Sequence, residues 1–246
     1  MAILKHLLKE MLGEKVLGGL EYLRFRETRK SWGGPLNGQE RRQEMVASLI
    51  SKLRFNAVVE TGTYRATSTE YFADLCTGHV FTIEISKRYY GYSTMRLLLR
   101  RNVTILHGDS RSALRSLTKE PRLSGCRVFF YLDSHWDTDL PLAEELQLVF
   151  TYWPHAVVLI DDFQVPDDPG YGFDCYGAGN ALTLGYARVA IEQFGLEVFF
   201  PAAHSSEETG AKRGCVLFVG DSVLTNELGS LSDLRHYDPA AFATSQ

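Results

Sequence analysis

Apolar positions follow two different rhythms along the chain. Up to residue 53 they recur at helical spacing. Ile3, Leu4, Leu7, Leu8, Met11 and Leu12 fall on one face of a helix over 3–23, which Gly13 and then Gly18 and Gly19 are expected to interrupt. The stretch 24–38 is basic and holds Pro and Gly, so it reads as a loop. Met45, Leu49, Ile50 and Leu53 put a second amphipathic helix at 39–53. From residue 56 the rhythm changes to short continuous apolar runs at 56–60, 79–85, 103–107, 128–133, 156–161, 196–201 and 215–219. Such runs suit strands buried on both faces. Helical stretches fit between them at 66–77, 87–100, 110–119, 139–152 and 181–194.

Alternating strands and helices predict an α/β fold: a doubly wound, mostly parallel seven-stranded sheet with right-handed crossovers. Only the loop 202–214 separates the last two strands, so they are expected to pair antiparallel and close one edge. The chain then divides into an N-terminal helical extension with its lead-in loop, 1–38, and a main domain, 39–246.

Composition narrows the class. The 246 residues are 45% hydrophobic and 23% charged, with net charge −4, the balance of a globular domain rather than a fibrous or disordered chain. No global basic field argues for a nucleic-acid partner. Residues 1–30 hold seven Lys/Arg and four Asp/Glu, net +3, which leaves −7 on the rest. This basic segment reads first as a solvated, salt-bridge-laced helix; as a contact surface, a helix partnering a homo-oligomer comes ahead of a cap over the sheet or active site, and membrane-surface contact comes last. Cys76, Cys126, Cys175 and Cys215 are widely spaced with no CxxC pair, which suits reduced thiols and a cytoplasmic location. Lys5, Lys9, Glu10, Glu14 and Lys15 break any signal-peptide pattern.

In sheets of this kind ligands bind at the carboxyl ends of the strands. The residues following the apolar runs are Glu60 to Tyr64, Glu84, Gly108-Asp109-Ser110, Asp133-Ser134-His135-Trp136 and Asp161-Asp162. All these sets are polar and rich in carboxylates. Gly62 leaves room for a ligand to approach backbone. A nicotinamide fingerprint would need glycine at 64 and 67, where Tyr64 and Thr67 stand. Glu84, twenty-two residues past Gly62, is placed to accept both hydroxyls of a ribose.

Glu60-Thr61-Gly62-Thr63-Tyr64-Arg65, then Glu84, then Gly108-Asp109-Ser110 resemble the first three motifs of class I S-adenosylmethionine-dependent methyltransferases. The resemblance implies a Rossmann-like methyltransferase fold with S-adenosylmethionine as cofactor. It implies that Glu60 and Gly62 lie by its methionine portion, Glu84 on its ribose, and Asp109 and Ser110 near its adenine, with Thr63, Tyr64 and Asp133 also in the cofactor-binding set. Tyr64 and Ala66 depart from the pattern, standing where that family has further glycines. Asp133, on the strand expected beside the cofactor strand, links cofactor and acceptor.

Asp161 and Asp162 follow the run 157–160, and residues 163–182 contain no Lys or Arg. Buried adjacent carboxylates need neutralising. A hard divalent cation is the economical answer, with capping of the next turn as the alternative. His135, two residues past Asp133, shares its side of a strand and suits proton removal from a hydroxyl. Trp136 could stack on a ring or pack.

Leu132-Asp133-Ser134-His135-Trp136, Pro141-Leu142, Glu145-Leu146 and Ile160-Asp161-Asp162-Phe163 are similar to a narrower group: the metal-dependent O-methyltransferases grouped with macrocin O-methyltransferase and the so-called cephalosporin hydroxylases. Gly34-Pro35-Leu36-Asn37-Gly38-Gln39 resembles their lead-in, so the resemblance spans roughly 34–220. It implies Mg²⁺, with Mn²⁺ or Ca²⁺ as substitutes, on Asp133, Asp161 and Asp162. It also implies a small-molecule or glycan hydroxyl as acceptor, with His135 and Asp133 as the catalytic pair. The competing readings are a catechol-like phenol acceptor and a non-catalytic cofactor-binding module. Hydroxylase chemistry is disfavoured, because no triad of two His and a carboxylate is legible. The Gly- and aromatic-rich loop 164–179 is expected to be either a lid or an ordered surface loop.

Overall fold

The computed structural model describes residues 2–135, 139–177 and 179–238, with side chains described from residue 13 onward. Trp136 lies outside the described residues, as do the side chains of the first apolar stripe.

Eight strands form one sheet: β1 Ala57–Thr61, β2 His79–Glu84, β3 Val103–His107, β4 Val128–Leu132, β5 Ala156–Asp161, β6 Glu197–Pro201, β7 Cys215–Val219 and β8 Leu234–Tyr237. Their order is β3-β2-β1-β4-β5-β7-β6-β8. Strands β3 to β5 run parallel, as expected. Two details differ from the sequence reading. Strand β8 makes the sheet eight-stranded. The antiparallel strand β7 is not at the edge but lies between β5 and β6, antiparallel to both. The 202–214 connection is long enough for β7 to insert there, and β8 closes the edge against β6.

The continuous apolar runs are explained by burial on both faces. Alternate residues of each strand point to opposite sides. Val59, Phe81, Phe130, Val158 and Phe218 belong to one core and Val58, Val80, Phe129, Val157 and Leu217 to the other. The first core is covered by α5 Ser110–Leu117, α6 Leu142–Tyr152 and α7 Leu184–Phe194. The second is covered by α2 Glu40–Leu53, α3 Thr67–Leu75 and α8 Ser222–Gly229. Helix starts follow local chemistry. Asp109 accepts hydrogen bonds from the Arg111 and Ser112 amides at the head of α5, and Asp221 does the same at α8.

The first helix, α1 Ala2–Arg24, is broken at Gly13, whose φ is 69°. Gly18 and Gly19 do not interrupt it. They are where α1 meets α4 Lys87–Arg96. A Cβ on Gly18 would lie 1.8 Å from the Arg88 carbonyl oxygen, and one on Gly91 would lie 1.8 Å from that of Lys15. The two backbones therefore touch, and only glycine permits it. Glu21 locks the contact by accepting from Arg88 and Arg65. Among the described residues no helix is long and apolar enough to cross a membrane.

Candidate active site

A cleft of about 800 Å³ opens at the carboxyl ends of the parallel strands, where the sheet order reverses between β1 and β4. Its volume suits a nucleoside-sized ligand with an acceptor beside it. At one end the wall is Gly62, Tyr64, Glu84, Tyr89, Asp109 and Ser110; at the other it is Asn37, Asp133, His135, Asp162, Asp174 and Arg213. The two halves predicted from strand ends are thus one continuous site.

The nucleoside end is built on backbone. Gly62 has φ 88°, and a Cβ there would lie 2.0 Å from the Asp133 carbonyl oxygen. Glycine is required both by conformation and by space. Glu84 is fixed by two amides: Tyr64 N donates to Oε2 at 2.6 Å and Ser86 N to Oε1 at 2.7 Å. Burial pushes its carboxyl up to about 7, against those two donors. Tyr64 and Ala66 both adopt left-handed backbone, with φ 47° and 57°. The chain keeps the glycine-like turn without the glycines, at about 1–2 kcal/mol of strain per residue. Tyr64 stacks edge-on against Tyr89 with centroids 4.4 Å apart.

Not every expected contact lies on the wall. Glu60 is buried beneath the loop, accepts hydrogen bonds from the Thr69 and Thr82 hydroxyls, and is pushed by burial to about 7. Thr63 is also buried, sharing a 2.6 Å hydrogen bond with Thr82. Both support the loop from below. Asp109 lines the cleft, but its carboxylate caps α5 and pairs with Arg111, so what it offers a ligand is mainly backbone. Ser110, Gly62, Tyr64 and Glu84 remain on the cleft wall as expected.

The other end contains a feature invisible to local reading. Asp161 is fully buried. Its Oδ1 accepts from Arg42, and its Oδ2 accepts from the Tyr131 hydroxyl at 2.5 Å and from Asn37 Nδ2 at 3.0 Å. Asp162 accepts from Arg213 Nε at 2.6 Å, and Asp174 accepts from the same guanidinium. The expectation that nothing positive neutralises Asp161 and Asp162 is therefore corrected. The cations come from α2 and from the residues before β7, far away in sequence. Burial and the facing carboxylates push Asp133 well above the ordinary range. Burial and Asp161 push Asp162 to about 7, with Arg213 opposing.

A divalent ion on Asp133, Asp161 and Asp162 does not fit this arrangement. Both oxygens of Asp161 already have protein donors, and Mg²⁺ demands near-ideal octahedral oxygens at short range. Among the described residues no group of three or more His, Cys, Asp or Glu is arranged to hold a metal.

His135 is buried, and its Nε2 lies 3.2 Å from the Asp161 carbonyl oxygen. A carbonyl only accepts, so Nε2 carries the hydrogen and Nδ1 the lone pair. Nδ1 has no hydrogen-bond partner among the described residues. Burial lowers the pKa of His135, which keeps the ring neutral. The described part of the loop, 164–177 and 179, packs against the rest of the domain. Tyr171 is buried and donates to the Ala203 carbonyl, the Asp174 amide donates to the Asp162 carbonyl, and Tyr176 donates to the His135 carbonyl.

No protein-family model matches the chain, and no curated protein does. Solved structures do. An O-methyltransferase from Bacillus cereus in complex with SAH superposes with TM-score 0.57 at 15% identity, covering 88% of this chain and 96% of that one. This chain has the fold of those methyltransferases. Cofactor-bound Rv0187 from MTB aligns with TM-score 0.53 at 16% identity over 88% and 95% of the two chains. The O-methyltransferase TomG from Streptomyces achromogenes, which is involved in tomaymycin synthesis and was solved with SAM, gives 0.50 at 18% over 72% and 79%.

Residues that the sequence reading passed over are Arg42, Asn37, Tyr131 and Asp174. Arg42 did leave a signal. It sits three, four and seven residues before Met45, Val46 and Leu49, on the apolar stripe of its helix. A charge at such a position has to find a buried partner.

Proposed function

We propose that this protein is an enzyme that transfers a methyl group from S-adenosylmethionine to a sugar hydroxyl of a small molecule or glycan. The observation carrying this reading is the Glu84 carboxylate, held on the cleft wall by two backbone amides beside Gly62 in a methyltransferase-type sheet. When bound, the cofactor supplies an electrophilic sulfonium methyl. Glu84 would hold the ribose hydroxyls, Gly62 and Tyr64 would border the methionine portion, and Ser110 would border the base.

Methyl transfer is an in-line displacement, so the protein must hold a hydroxyl oxygen against the methyl carbon. Asp133 lies on the wall where the β1 loop and the acidic end meet, and accepts the hydroxyl hydrogen bond there. Burial and the facing carboxylates make Asp133 a stronger base than an ordinary carboxylate, which suits it to take the proton of the hydroxyl it holds. Neutral His135, on the same wall, is the second proton acceptor assigned by this reading. Asn37 and Asp174 offer polar groups to a hydroxyl-rich acceptor, which favours sugars over a flat phenol. The arrangement supports no step through a bound metal.

Calorimetric titration of S-adenosylhomocysteine tests the reading. Micromolar binding that weakens at least about tenfold in Glu84→Ala is expected. Absence of binding in the parent protein overturns it. Methyl transfer is then followed over a panel of glycosides and catechols, where turnover on phenols alone refutes the sugar assignment.

A further inference from the structure

Two arginines, 171 residues apart in sequence, are built into one assembly. Arg42 is 2% exposed, donates to Asp161 through Nη1, and donates to the Arg213 carbonyl through Nη2. Gln39 holds the same backbone from both sides. Its Nε2 donates to the Arg213 carbonyl at 3.0 Å, and its Oε1 accepts from Arg213 N at 2.9 Å. Glu208 accepts from the amides of Arg41 and Arg42 and fixes the head of α2 to this loop. The side chain of Arg213 then reaches the cleft and bridges Asp162 and Asp174. The pattern is Asp161, Arg42, the Arg213 backbone, the Arg213 guanidinium, and Asp162 with Asp174.

An arginine side chain is charged at every accessible pH and binds carboxylates in a fixed fork. Two guanidiniums supply positive charge to Asp161 and Asp162, two of the three carboxylates expected to hold a divalent ion, and to Asp174 beside them. A metal entering there would have to displace one fork and face the repulsion of the other.

We propose that Arg42, behind the wall, and Arg213, on it, are resident cations of the acidic end of this cleft and stand in for a divalent metal. Arg42 is a positioning residue: it fixes Asp161, and through Asp161 it fixes Asn37 and Tyr131. Arg213 is the positive edge of the acceptor end and holds Asp162 and Asp174 apart from a metal. The inference rests on the methyltransferase reading for the meaning of the two ends of the cleft, but not for its test.

The test uses Mn²⁺ as probe, followed by electron paramagnetic resonance on the full chain without cofactor. The parent is expected to leave Mn²⁺ free up to about 1 mM. Arg213→Gln removes the fork from two carboxylates and is expected to tighten Mn²⁺ binding by about tenfold or more, while Arg213→Lys restores the parent behaviour. Micromolar Mn²⁺ binding by the parent overturns the proposal. So does an Arg213→Gln variant that folds, by circular dichroism, and binds Mn²⁺ no better than the parent. Should that variant not fold, the parent titration decides alone. In parallel, S-adenosylhomocysteine affinity is expected to agree within about twofold in EDTA and in MgCl₂, and a larger Mg²⁺ gain overturns the proposal. If S-adenosylhomocysteine binds in neither, the methyltransferase reading fails, and the Mn²⁺ series still decides the role of the arginines.

Discussion

Glu60 offers the sharpest test of how this site is supported. It is 1% exposed, is hydrogen-bonded by the Thr69 and Thr82 hydroxyls, and faces no cation, and burial lifts its carboxyl from 4.5 to about 7. A raised carboxyl means that the folded state binds the proton more tightly than the unfolded chain does. Stability from this group is therefore complete below about pH 4.5 and falls as pH rises to about 7, beyond which the loss is constant. Over pH 5 to 8 that shift corresponds to about 2–3 kcal/mol. Glu60→Gln keeps an oxygen for both threonines and cannot ionise. The stability of the parent minus that of the variant is then expected to fall by about 2–3 kcal/mol between pH 5 and pH 8. In melting temperature this is roughly 5–10 °C for a chain of this size. Glu84, Asp133 and Asp162 titrate in both proteins, so their own contributions cancel in the difference, which retains only the coupling of Glu60 to Glu84 and Asp133. Urea melts of the two proteins at the two pH values measure it. A difference that stays flat with pH would refute the argument that an uncompensated carboxylate is buried under the cofactor loop.

Three further outcomes follow from the geometry. Arg42→Met leaves Asp161 buried without its cation and is expected to cost about 3–5 kcal/mol, whereas Arg42→Met with Asp161→Leu loses clearly less than the two single changes summed; denaturant melts of the four proteins would expose strict additivity as the contrary result. Gly62→Ala forces a methyl into the Asp133 carbonyl at φ 88°, so S-adenosylhomocysteine affinity should drop by about tenfold or more with the far-ultraviolet spectrum unchanged, and parent-like affinity would contradict the close approach. Gly91→Val pushes against the Lys15 carbonyl and should release α1. Limited proteolysis is then expected to cut within 1–24 while the remaining domain melts as before, and unchanged resistance would count against backbone contact between α1 and α4.

What could be read from the sequence here was what depends on near neighbours. Strands β1 to β7 are visible because each is a short apolar run bounded by turn residues, and the expectation of a site at their carboxyl ends follows from the alternation with helices. Strand β8 was not visible. It is four residues, Leu234–Tyr237, half of them polar, and its partner β6 lies more than thirty residues back. The place of β7 between β5 and β6 likewise depends on a long loop whose path no local pattern dictates. At the site, Gly62 and Glu84 could be found because a turn and a strand end have their own chemistry. The error over Asp161 has the same root. Its neighbours in sequence hold no cation, and a divalent ion was the simplest local answer. The real partner is Arg42, 119 residues away, and the partner of Asp162 is Arg213, 51 residues away. A buried charge is an equation with two members, and the other member was present in the sequence as an arginine on the apolar face of a helix. Joined, the two anomalies would have pointed to each other. An unpaired carboxylate at a strand end and an unpaired guanidinium on a core-facing stripe are each costly alone, and burial of one demands the other. That demand ties the lead-in segment of α2 to the cleft, and it makes the segment around Asn37 and Arg42 part of the acceptor end rather than an appendage to the sheet.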